Sequence, residues 1–181
     1  MEERRFSVRR IVISGVLSAI AILLSLTPLG YIPVPTAAGA ATTMHIPAIV
    51  GGVMGGWLVG GMIGLIFGLT SFVRAAIPLF KDPLVAILPR IFIGITTAFC
   101  YAGLKKINEY VALIVAAIVG TLTNTILVLG MATIRGYISL PVAAGITVTH
   151  GIPEAIVAAI ITVAVVMAWK RVEAGRGKST V

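Results

Sequence analysis

Residues 42–68 read TTMHIPAIVGGVMGGWLVGGMIGLIFG, and this stretch decides the fold class. Thr42, Thr43 and His45 form a polar entrance, Pro47 follows, and Gly52, Gly56, Gly60, Gly64 and Gly68 recur at every fourth position. On a helix that spacing places the glycines in one stripe, the small-residue face that lets helices approach closely in lipid. The stripe predicts a membrane protein before it says anything about function.

The bulk composition agrees. The chain has 181 residues, 59% of them hydrophobic, with a mean hydropathy of +1.10. A water-soluble domain could not cover that much apolar side chain. The formal charge of +8 and pI near 10.3 would suit nucleic acid, but only 11% of residues are charged and most of the 14 Lys and Arg fall in three clusters. Arg4, Arg5, Arg9 and Arg10 precede the first apolar run, Lys105 and Lys106 separate two later runs, and Lys170, Arg171, Arg176 and Lys178 follow the last. Basic clusters at the ends of apolar segments mark cytoplasmic loops, and no nucleic-acid partner is expected. The single cysteine, Cys100, excludes an internal disulfide.

A basic tail, residues 1–10, leads into an apolar first span over 11–26, extended to Thr27 and Pro28. The same layout imitates a cleaved secretory signal, but the run is long for one and more membrane-grade segments follow. Residues 31–41, with Pro33 and Pro35, read as an extended outer loop. Residues 46–73 are then apolar throughout, and as one helix would be about 42 Å long against a bilayer core of about 30 Å. Two short helices hinged near Gly55 and Gly56 put Lys105 and Lys106 on the side of the N-terminal arginines, whereas one span puts them opposite. Positive-inside asymmetry favours the hinge.

Residues 74–83 are predicted as an outer loop, 84–104 as the fourth span, 110–131 as the fifth, and 132–149 as a second outer loop, scarcely polar and partly inserted. The sixth span runs from His150 or Ile152 to Trp169, with Lys170 and Arg171 as its stop. The expectation is an all-α integral membrane six-helix bundle over 11–170, both termini cytoplasmic, with a flexible tail over 171–181.

Ionisable residues within such spans are costly and mark function. Arg90 lies about 9 Å inside the outer end of the fourth span, Asn124 lies in the outer part of the fifth, and His150 and Glu154 share one face of the sixth at i and i+4. His45, flanked by Thr43, opens the second span. These positions define a polar pocket open to the outside. Arg90 offers a planar fork suited to a carboxylate, and Asn124 offers both donor and acceptor, so a small anionic or amide-bearing ligand would suit the inventory. The alternatives are an internal Arg90–Glu154 ion pair, a helix-entrance role for His45, and an interfacial role for Arg74, which otherwise joins the candidate contacts.

Other chemistries fit less well. His45, His150 and Glu154 lack the tight spacing of a metal site, and no serine stands beside a plausible base for hydrolysis. The tail Gly177-Lys178-Ser179-Thr180 imitates the end of a phosphate-binding loop, but Val172 occupies the place of its first glycine. With no nucleotide site, no cofactor and no catalytic group, uphill transport would draw on a partner or an ion gradient. Ser14, Gly15, Ser18 and Ala19 in the first span form offset small-xxx-small pairs that could dock a partner helix or pack within the bundle.

Together these pieces resemble the substrate-binding S components of energy-coupling factor (ECF) vitamin transporters. The resemblance is carried by TTMHIPAIVGGVMGG, ILPRIFIG around Arg90, GTLTNTILVLG around Asn124 and HGIPEAIVAAI at the sixth span, in that order, and it covers nearly the whole chain. The Thr-Met-His-Ile-Pro opening looks most like the pantothenate-type branch. The resemblance implies a non-enzymatic, multi-pass protein of a prokaryotic cell membrane that binds a vitamin near the outer face. It implies docking through the first span to a T component with two ATPases. For pantothenate it would assign Arg90 to the carboxylate, Asn124 to the amide, and His45 or Glu154 to hydroxyls. The alternatives are an S component for another vitamin such as riboflavin, or a stand-alone ion-coupled carrier.

Overall fold

The computed structural model describes residues 8–33, 40–75 and 77–176. Helix α1 spans Val8–Leu26, and a small antiparallel hairpin follows, β1 (Tyr31–Pro33) paired with β2 (Ala40–Thr42). Then come α2 (Ile46–Gly55), α3 (Trp57–Arg74), the single turn α4 (Pro83–Ala86), α5 (Leu88–Leu104), α6 (Glu109–Ile134) and α7 (Leu140–Arg176). Five of these segments are long and apolar enough to cross a membrane, counting α4 with α5. At 1.5 Å per residue α2 is about 15 Å long, half a span, and completes a count of six.

The predicted hinge is present at Gly56, whose φ of +84 is open to glycine and strained for any side chain. It folds α3 back on α2, so Gly60 meets Gly52. A Cβ at Gly60 would stand 2.7 Å from the Gly52 Cα and 2.8 Å from the Gly94 Cα. The ladder is therefore divided. Gly56 makes the turn, and Gly60, Gly64 and Gly68 lay α3 backbone to backbone against α5 and the residues before it. Helices α1, α3, α5, α6 and α7 form an arc, each packed on the next, around the buried α2. Arg9, Lys105 and Lys170 lie at the Gly56 end of this arc. The hairpin and the α3–α4 and α6–α7 connections lie at the other.

Two expectations require correction and a third gains a break. The fourth span stands over Pro83–Leu104 but carries a turn at Ile87, where Pro89 has no N–H to donate to the Val85 carbonyl. The outer loop expected over 132–149 shrinks to residues 135–139. Pro141 suits a first turn, LPVAAGITVT is helical, and within it the Thr147 and Thr149 hydroxyls donate to the Ala143 and Gly145 carbonyls one turn back. The sixth span is thereby part of a 37-residue helix that contains Pro153 and continues beyond Trp169 through the expected start of the tail. Of the expected tails, residues 1–7 and 177–181 lie outside the described residues, as do 34–39 of the first loop.

Candidate functional site

A cavity of about 420 Å³ opens among the hairpin, the two connections and the adjacent helix ends, within the range of small-molecule sites. A larger groove of about 760 Å³ between α6 and α7 is lined only by Ile, Leu, Val, Ala and Gly. It offers no group to orient a ligand and lies on a face that lipid would cover.

Arg90 is the centre of the polar cavity. It is 4% exposed, and its Nη1 donates to the Val85 carbonyl, the oxygen deprived of a helical partner by Pro89. Its guanidinium lies 4.7 Å from the centroid of the Phe80 ring and 5.6 Å from that of Phe67, a cation–π setting on two sides. Its Nε is buried without a partner. Gly64 packs directly on the Arg90 carbonyl, so the glycine face of α3 fixes how deep the arginine sits. Asn124 Oδ1 and His150 Nδ1 are also buried and unpaired, and both residues line the same cavity. Three unsatisfied polar atoms around one cavity are uncommon in a folded interior and are the positions a polar ligand would satisfy.

Glu154 lines the cavity without forming an ion pair with Arg90 among the described residues. Its Oε1 accepts from the Thr42 N–H at 2.8 Å and the Thr42 hydroxyl at 2.7 Å, tying the hairpin to α7. Arg74 lines the rim. Its Nη1 donates to the Ser25 carbonyl at the end of α1 and to the Tyr31 hydroxyl at 3.4 Å, a helix-end contact favoured by the dipole.

His45 and Thr43 are not in the cavity wall. His45 is fully buried before α2, with Nε2 3.0 Å from the Thr121 hydroxyl on α6. That hydroxyl donates to Ala117, which assigns the shared hydrogen to Nε2, so His45 holds α2 to α6. Thr43 donates to the Leu29 carbonyl at 3.4 Å. Both serve the scaffold beneath the site, where the sequence pattern placed them at the ligand.

The wall also includes residues that sequence reasoning passed over. Thr42 stood in the decisive stretch but read as an entrance, and Phe67 stood in the same stretch with no role assigned to it. Phe80 lies in a connection with no periodic signal. Their roles arise from folding partners that local pattern does not contain.

The four small residues of α1 separate, with Ser14 half-buried. Ser18 is buried against the bundle together with Ala21 and Ser25. Gly15 and Ala19 face outward, with open space where a Gly15 side chain would be. Val12, Val16 and Leu23 are exposed on the same helix.

Comparisons with known proteins agree with this architecture. Residues 9–166 match the family described as ECF transporter, substrate-specific component. The chain is 34% identical over 153 residues to the pantothenic acid transporter PanT of Lactococcus lactis subsp. cremoris (strain MG1363), covering 70% of this chain and 76% of that one. A solved structure, described as the S component of a bacterial ECF transporter, superposes with a TM-score of 0.64 at 20% identity, covering 94% of this chain and 98% of that one. Sequence match over most of the chain and likeness of fold lead to one assignment: the protein is a member of the family of substrate-specific S components of ECF transporters.

Proposed function

We propose that the polar cavity is an outward-facing site for a small carboxylate-bearing vitamin, pantothenate first, and that the chain delivers it by docking to a T component with two ATPases. The observation that carries this reading is Arg90, a buried cation whose Nη1 is anchored and whose Nε is left without a partner beside the cavity. An anionic ligand would compensate that charge in a setting of low dielectric, where charge-assisted hydrogen bonds are strongest. Asn124 and His150 supply the unpaired polar atoms for an amide and a hydroxyl. Val128, Leu129 and Ile146 supply apolar wall for methyl groups. The named relative is a pantothenic acid transporter, which favours this vitamin over riboflavin.

The basic residues at the end opposite the cavity support a cytoplasmic placement of both termini in the cell membrane. The outward face of α1 around Gly15 and Ala19 supports flat packing against a partner helix. Equilibrium binding of labelled pantothenate to the detergent-purified protein, with mass spectrometry of any co-purified small molecule, tests the substrate. Saturable binding supports the reading. No pantothenate binding, with tight binding of riboflavin or another vitamin, overturns the choice of ligand.

A further inference from the structure

The two connections that roof the cavity are joined through one carboxylate. Asp82, only 6% exposed, lies between the α3 end and α4. Its Oδ1 accepts from the Leu84 N–H at 3.0 Å and so caps α4, the turn that presents the Val85 carbonyl to Arg90. Its Oδ2 accepts from Arg135 Nε at 2.6 Å and from the Tyr137 hydroxyl at 3.5 Å, both from the opposite connection. Beneath this link Val85, Val128 and Ala132 form an apolar cluster separate from the main core, with Leu79, Phe80 and Ile138 packed on it from the two connections. Phe80, which stacks on Arg90, and Ile138, Leu79 and Val128 also form cavity wall.

One residue thus reaches the anion-binding arginine through its Oδ1 and the far cavity wall through its Oδ2. We infer that Asp82 and Arg135 are positioning residues that keep the two connections together over the cavity, and that this pair sets how long a ligand is retained. Removing Arg135 would leave a buried carboxylate without its cation, a state relieved by parting the connections and admitting water. The hydrogen bond from Arg135 holds the Asp82 carboxyl below its usual range, so the carboxylate is charged near neutral pH. Because the small cluster is separate from the main core, it can part while the bundle stays packed.

The inference rests on the cavity being the ligand site, and its test separates the two. Asp82→Asn retains the Oδ1 acceptor that caps α4 and loses the charge that holds Arg135; Arg135→Gln breaks the same link from the half-exposed side. In protein carrying Cys100→Ala, spin labels attached at Lys81→Cys and Ser139→Cys report the separation of the connections with no ligand present. Either variant is expected to lengthen and broaden that distance distribution, and to speed dissociation of labelled pantothenate about tenfold with a smaller change in association. The double variant should be no worse than either single one. An unchanged distance distribution in both variants overturns the inference. If wild-type protein does not bind pantothenate, the ligand reading fails and the distances alone decide this one. Should Asp82→Asn not fold, Arg135→Gln carries the same measurement, with Arg135→Lys expected to restore part of the wild-type behaviour.

Discussion

Arg90 donates to the carbonyl of Val85, and it can do so because Pro89 withholds the backbone donor that would otherwise claim that oxygen. A proline that interrupts a membrane helix therefore anchors the one buried arginine in the cavity. The freed carbonyl is satisfied, as the membrane interior requires, and the guanidinium is held in a fixed orientation.

That relationship makes Pro89→Ala informative. The new N–H would compete for Val85, α4 and α5 would tend to fuse, and Arg90 would lose its anchor. Thermal stability should hold or rise, while affinity for the carboxylate ligand falls roughly five- to tenfold, the worth of about one hydrogen bond. Parallel melting and binding measurements check this, and unchanged affinity would show that the anchor is dispensable.

Arg90→Ala should cost about 2–5 kcal/mol of ligand binding, on the order of 30- to 4,000-fold. Arg90→Lys should fall between, because it keeps charge and loses the fork. An analogue with the carboxylate replaced by an alcohol should bind wild-type protein weakly and lose little more in Arg90→Ala. Equal losses for acid and alcohol would return Arg90 to a purely structural role.

Thr42 and Glu154 act as one unit, since a single carboxylate oxygen accepts both Thr42 hydrogens. Thr42→Val and Glu154→Gln should each weaken binding roughly three- to tenfold, with the double variant well short of the product. Isothermal titration of the four proteins gives the coupling, and strict additivity would refute it.

Glycine substitutions should divide by location. Gly60→Ala forces a methyl between the Gly52 and Gly94 backbones and should destabilise the bundle by about 1–3 kcal/mol. A Cβ at Gly15 meets nothing within 4 Å, so Gly15→Leu should leave melting and ligand binding intact while abolishing co-purification with T component and ATPases. Retained assembly in that variant would move the docking surface elsewhere.

Legibility in the sequence followed the range of the interactions. The hinge at Gly56 was readable because charge placement and helix length constrain the topology over whole spans. Arg90, Asn124, His150 and Glu154 were readable as a group because ionisable and amide side chains in apolar helices stand out one by one, and the fold does bring them to one cavity. The helical character of residues 140–149 was missed because a weakly polar stretch with Gly and Pro has the same composition as a loop, and only its backbone, continuous with the last helix, resolves it.

The sequence by itself determined a membrane bundle, its broken second segment and which residue types could meet an anion. Tertiary structure alone decided who partners whom. His45 went to Thr121 instead of the cavity, Glu154 to Thr42 instead of Arg90, and Ser18 to the bundle instead of the outer face. The reason is physical. A buried polar atom takes whichever complementary group the packing brings within about 3 Å, and that distance is fixed by helices meeting across the bundle, at glycines far apart in the chain.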